Sequence, residues 1–171
     1  MRLRISFFTL GVLKAPVGDS AVQGFVDRID NVYAAAEGSA GFVARSFRNL
    51  QTWEHSWGPV MAPKCIPDGL VLNQLAMTVS LWRDLESVAA FAYRGAHGEA
   101  LSKRGDWFES GPWPSYVAWW VDEGHQPNWS EAVDHIDLLH AQGSTPAAFS
   151  FRQPFDSAGT PVILKRPRPA S

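Results

Sequence analysis

Residues Gln74 to Asp122 read QLAMTVSLWRDLESVAAFAYRGAHGEALSKRGDWFESGPWPSYVAWWVD: a strand, a helix broken at Gly95, a Pro/Gly turn and a second strand. Gln74 to Trp82 predicts a strand. Asp84 is placed to cap a helix, with Glu86 in the first turn where an acid suits the helix dipole. Leu85, Val88, Phe91 and Ala92 recur at helical spacing and form its inner stripe. Gly95 breaks this helix, and a second helical piece is expected from about Ala96 to Phe108, with Leu101 and Phe108 inward. Gly111-Pro112-Trp113-Pro114 is a stiff turn. Tyr116 to Asp122 is the next strand, with Tyr116, Ala118 and Trp120 on one face and Val117, Trp119 and Val121 on the other.

Upstream, Leu3 to Leu10 predicts a first strand, although Arg2 and Arg4 ahead of an apolar run loosely imitate a signal peptide. Ser20 with Gln23 suggests a capping box. The helix it opens carries Val22, Phe25, Val26, Ile29, Val32, Tyr33 and Ala36 on one face and stops at Gly38. Gly41 to Phe47 predicts a second strand. Residues 48–73 are irregular and rich in Trp, Pro and Gly, which suggests an ordered flap, a dimer-contact loop or a surface insertion. Downstream, Glu123 to Pro127 is a loop, and Ser130 is expected to cap a third helix to Ala141 with Val133, Ile136 and Leu139 inward. Ala147 to Phe151 predicts a short last strand. The domain is expected to span residues 1–163, with 164–171 a basic, proline-rich tail.

The order of elements is β-α-β-β-α-β followed by a helix and a short strand. This implies an α+β, ferredoxin-like antiparallel sheet with the first two helices on one face. The other face carries large apolar side chains and needs a cover. A second copy of the chain could supply it, so a homodimer in a dimeric α/β barrel is expected.

Composition sets bounds. The chain has 171 residues, 46% of them hydrophobic and 19% charged, with a net charge of -2. That suits one globular domain and gives no basic field to draw nucleic acid. The one cysteine, Cys65, rules out an internal disulfide framework and fits a reducing compartment. No apolar run approaches the roughly 20 residues that cross a bilayer, so no membrane partner and a soluble, cytoplasmic protein are expected. There is no GxGxxG, P-loop, G-x-S-x-G or HExxH, which leaves dinucleotide binding, ATP hydrolysis and triad hydrolysis unsupported.

The segments SLWRDLESVAAFAYRGAH, KRGDWF, YVAWWVDEGHQP, SEAVDHIDLLHAQGSTPAAFSF and GFVARSF together resemble the DUF3291 family of the dimeric α/β barrel superfamily. The resemblance covers most of the chain and implies the fold and dimerisation, with no established activity. Arg45 in GFVARSF stands where that family carries an arginine. Residues 48–73 are longer than the family pattern, and VDHID stands where an Arg-Leu pair is common. The wider superfamily includes antibiotic-biosynthesis-type and haem-degrading monooxygenases, aldoxime dehydratases and lactone isomerases. In the haem-degrading members a Trp-initiated helix ends in an Ala-His pair whose histidine binds iron. Trp82 to His97 resembles that arrangement.

The candidate residues follow. His97 is an iron ligand or a general base on one reading, and a buried or capping histidine on the other. Arg104 and Arg45 could hold a ligand anion, although for Arg104 an ion pair with Glu99 or Asp106 is the favoured reading. Phe7, Met77, Val79, Trp119 and Trp120 are candidate pocket walls, and His125 a candidate at the pocket mouth. Trp107 serves as ligand wall or, like Phe108, as core. His135 and His140 are five apart and do not form an i, i+4 metal pair, so no metal site is expected; Asp134 and Asp137 read as a solvated face. Cys65 reads as incidental. Three functions fit: a monooxygenase-like or isomerase-like enzyme on a small apolar or aromatic metabolite, with no cofactor required; a haem-binding protein; or a non-catalytic ligand-binding dimer.

Overall fold

The computed structural model describes residues 2–49, 51–52, 54–94 and 102–165. Four strands form one antiparallel sheet: β1 (Leu3–Val12), β2 (Phe42–Arg45), β3 (Leu75–Trp82) and β4 (Tyr116–Asp122). The order across the sheet is β2-β3-β1-β4. That order, with antiparallel pairing throughout, is the ferredoxin-like arrangement expected from the sequence. The helices are α1 (Gln23–Val26), α2 (Ile29–Glu37), α3 (Leu85–Tyr93), α4 (Arg104–Trp107) and α5 (Trp129–Gln142).

Local signals explain most boundaries and several differences of detail. β1 runs two residues past the expected Leu10, because Gly11 and Val12 continue to pair with Ala76 and Leu75. The first helix opens as a 3-10 turn over Ser20–Val22. Its cap is Asp19, whose carboxylate accepts the Ala21 N–H at 2.8 Å, rather than Ser20. The helical run then breaks at Asp27 and Arg28 before α2. Asp84 caps α3 as expected, accepting the Ser87 N–H at 2.8 Å. The α5 cap is Asn128, which accepts the Glu131 N–H at 2.9 Å. Asparagine at this position outcompetes the Ser130 expected from the sequence because its side chain reaches the third helical N–H. Gly143, at φ 73, ends α5 in a conformation that disfavours a Cβ. The expected last strand reduces to one bridge: Phe149 exchanges two hydrogen bonds with Ala118, at 2.9 and 3.0 Å, along the outer edge of β4.

The sheet separates two apolar layers. Ile5, Phe7, Trp82 and Ala118 face α2 and α3, and pack with Leu85, Val88, Phe149 and Phe151. Trp82 stacks on Phe91 with ring centroids 5.0 Å apart and meets Phe42 edge-on at 5.4 Å. Leu164, assigned to the tail from sequence, also packs on this cluster.

Phe8, Leu10, Val79, Leu81, Val117, Trp119 and Val121 face the other way. Here the expectation of a bare face needs correcting. α5 lays Trp129, Ala132, Ile136 and Leu139 on it, and the 48–73 segment adds Trp57 and Ile66. Val79 and Val117 are 0% exposed and Trp119 2% within the single chain. Cover comes from the chain's own C-terminal helix and long loop, so burial of this face does not require a second copy. Asp137, read as part of a solvated face, holds the loop down: its carboxylate accepts the backbone N–H of Lys64 and of Cys65, at 3.0 and 2.9 Å. No helix among the described residues is long and apolar enough to cross a membrane.

Candidate functional site

Alternation along the strands splits the expected chamber. Phe7 pairs with Ser80, and Phe8 with Val79. Phe7 therefore lies on the α2–α3 face with Tyr116, Phe151 and Trp120, whereas Met77, Val79 and Trp119 lie under α5. The Trp120 indole donates to the Phe155 carbonyl at 2.9 Å, which secures the C-terminal loop. These side chains do not wall one pocket.

The candidate cations are also held apart. Arg45 lies on edge strand β2. Its Nε donates to Glu37 Oε1 at 2.8 Å, its Nη1 to the Ser46 carbonyl at 3.2 Å, and its guanidinium sits 3.9 Å from the Tyr33 ring centroid. Burial raises the Tyr33 phenol pKa although Arg45 pulls it down. Arg45 thus ties β2 to α2. Arg104 is exposed on α4, which is tied to the far end of β1 by the Leu13–Phe108 bridge and by Lys14 N–H to the Trp107 carbonyl, 2.9 Å. Trp107 is buried with Leu13 and Val22 under Phe25, and Arg28 covers its ring at 5.0 Å. His97 lies outside the described residues.

His125 sits at the opposite end of the sheet. It follows β4 in a turn closed by its own N–H to the Asp122 carbonyl at 2.9 Å, and Asp122 pairs with Leu3 at the start of β1. β1 has 10 residues and so is roughly 33 Å long. His125 and Arg104 therefore serve different regions of one chain.

What the structure does bring together lies where β4 meets the start of α5. Glu131, in the first turn of α5, uses both carboxylate oxygens. Oε1 accepts the indole N–H of buried Trp119 at 2.9 Å, and Oε2 contacts His125 Nε2 at 2.7 Å. Where the carboxylate is ionised it can only accept, so Nε2 is the donor, and in the neutral ring the lone pair then sits on Nδ1. The Glu131 side chain is 23% exposed and that of His125 46%, so the pair stands at the boundary between core and solvent. His135, one turn further along α5, stacks on Trp119 with ring centroids 4.4 Å apart and 20° between planes. Burial lowers its pKa below the ordinary 6.5, against the pull of Glu131. Its Nδ1 is buried with no hydrogen-bond partner. On the same layer the Trp129 indole donates to Ser46 Oγ at 3.2 Å, and His55 meets the Trp129 ring edge-on at 5.0 Å. Burial, then Arg48, lowers the His55 pKa.

Sequence reasoning picked out Trp119 and His125 but passed over Glu131, which reads as an ordinary first-turn acid. A signal was present. Glu131 follows His125 by six residues across a Pro127 turn, close enough to fold back onto it. Burial and Asp137 push the Cys65 thiol pKa up to about 12, which disfavours the thiolate. No group of three metal-ligating side chains occurs among the described residues. An open groove of about 450 Å³ runs between α2 and α3, floored by Ala35, Ala40, Ala90 and Phe91 with Glu86 and Arg94 beside them.

The sheet order and the two apolar layers define a ferredoxin-like α+β protein with a helix laid over its second face. The chain belongs to the family described as Domain of unknown function (DUF3291), whose model matches residues 4–165. Two solved structures are similar. One is a conserved protein from Methanosarcina mazei Go1, with TM-score 0.44 and 10% identity, covering 70% of this chain and 91% of that one. The other is Rv0793 from Mycobacterium tuberculosis, with TM-score 0.44 and 6% identity, covering 73% and 99%. No curated protein matches the sequence.

Proposed function

We propose that the protein is a small-molecule enzyme of the isomerase-like kind, with His125 as its general base. The observation that carries this reading is the double use of Glu131: one oxygen on Trp119, the other on His125 at 2.7 Å. Trp119 is buried and its indole N–H holds one Glu131 oxygen, and a carboxylate anchored in this way can set both the ring orientation and the tautomer of the histidine. This is the orienting role a carboxylate plays beside a catalytic imidazole. The imidazolium formed after proton uptake would be stabilised by the same carboxylate. Trp119 and His125 also come from the two halves of YVAWWVDEGHQP, a segment on which the family resemblance rests.

In this reading Nδ1 of His125 takes a proton from an acidic C–H of the substrate and returns it at a second carbon. Atoms and charge balance without a further reactant, which is why proton transfer is preferred here to oxygen insertion. The substrate is a small apolar or aromatic metabolite.

The test is to incubate the purified full chain with a complex metabolite extract and follow it by liquid chromatography and mass spectrometry. The expected change is a compound replaced by one of equal mass and new retention time. His125→Gln should abolish that conversion, and Glu131→Gln should slow it about 10²-fold or more, the scale of general acid–base catalysis. Conversion that persists in His125→Gln would remove the histidine from its role. A product heavier by one oxygen would favour monooxygenase-like chemistry, and no conversion by the intact chain would favour a non-catalytic ligand-binding protein.

A further inference from the structure

We propose a second site: a pocket for a small organic anion at the end of the sheet where β1 begins, built from Arg2, Arg4 and Arg83 over an apolar floor. The pocket has a volume of about 280 Å³ and is lined also by Leu3, Gly41, Phe42, Val43 and Glu123. The register explains the convergence. Ile5 pairs with Trp82 at the end of the β1–β3 ladder, so Arg4 and Arg83 are the next residues outward on the two chains, and the Arg83 N–H donates to the Gly41 carbonyl at 2.7 Å. Three arginines lining one small pocket repel one another, and a bound anion would add to the partial relief that Glu123 and Asp84 give.

Only one acid lines the pocket. Glu123 Oε1 receives Arg4 Nη2 at 3.2 Å and stands 3.9 Å from Arg2 Nη1, so two guanidiniums share a single oxygen. Arg83 is bonded through Nε alone, to Asp84 at 3.1 Å. Its terminal nitrogens lack a partner among the described residues. The local excess of positive charge runs against the chain as a whole, which has 15 Lys and Arg against 17 Asp and Glu.

Guanidinium forks match the planar, two-oxygen faces of carboxylate and phosphate. Leu3, Phe42 and Val43 supply the apolar contact that a bare inorganic ion would not use; Val43 is 36% exposed. The volume lies just below the usual range of ligand sites, which limits the occupant to a one-ring or short-chain body bearing one anionic head. Glu123 then acts as a placeholder that an incoming anion displaces. The site does not depend on the acid–base role of His125, and each can fail without the other.

The experiment is a two-dimensional amide NMR titration of the full chain with phenyl phosphate, inorganic phosphate and benzyl alcohol. Phenyl phosphate should give saturable shifts at Leu3, Arg4, Gly41 and Arg83. Inorganic phosphate should bind at least tenfold more weakly, and benzyl alcohol should not saturate. Arg4→Gln with Arg83→Gln should weaken phenyl phosphate binding at least tenfold. Glu123→Gln should tighten it, because the placeholder is gone; a purely structural glutamate would not produce that gain. No saturable shift with either anion, unchanged affinity in the double variant, equal affinity for the two anions, or weaker binding in Glu123→Gln would each overturn the proposal.

Discussion

His135 illustrates what a half-buried ring costs. It lies against Trp119 with Nδ1 unpartnered, and burial pushes its pKa down from 6.5; His55 is shifted the same way. The folded chain therefore prefers both rings neutral. Above pH 6.5 both states hold them neutral and no penalty arises. Below it, the unfolded chain binds protons that the folded chain resists, so stability falls with falling pH. Denaturant unfolding at pH 7.5 and pH 5 should show a lower midpoint at pH 5. The His55→Gln/His135→Gln double variant should lose most of that difference, and an equal drop in the variant would refute the assignment. Arg45 is a cation whose partners lie within the fold. Its sequence position suggested a ligand contact, yet its charge is met by Glu37 and its plane by Tyr33, which binds an edge strand to a helix.

At the scale of elements, most of the fold was legible. The period-2 and period-3.6 runs gave four strands and the helices between them in the right order, because alternation and helical spacing are local properties. Caps were less legible: Asp19 and Asn128 displaced the expected serines, since several residues near a helix start can compete for the same N–H. Where α5 and the 48–73 loop pack was not legible at all, because an apolar stripe states that a partner exists and not which one. Asp137 makes the point. Two N–H groups of a distant loop turn a surface acid into a clamp. Asp137→Ala should cost about 1–3 kcal/mol by stranding those donors. It should also lower the Cys65 thiol pKa from about 12 and speed its reaction with a disulfide reagent at pH 8. An unchanged thiol rate would show that the loop is held elsewhere. The candidate site was half legible for the same reason: Trp119 and His125 stand out by type, whereas the six-residue spacing of Glu131 from His125 is a weak signal that becomes decisive once α5 is folded back on β4.

At the scale of the whole molecule, the sheet is sandwiched between layers drawn from one chain. Trp129 is central to the second layer, 1% exposed with Phe8 edge-on at 6.2 Å. Trp129→Ala should lower stability by about 3–5 kcal/mol. It should also make the protein self-associate in size-exclusion chromatography, because the loosened helix would uncover Val79, Val117 and Trp119. A stable variant that elutes like the parent would mean the cover tolerates the loss. The position of α5 in the chain also fixes an order of events during synthesis. All four strands leave the ribosome before Trp129 does. A nascent chain that pairs its strands at once would hold one greasy side open until the last helix arrives, and that interval is when a chaperone has most to bind.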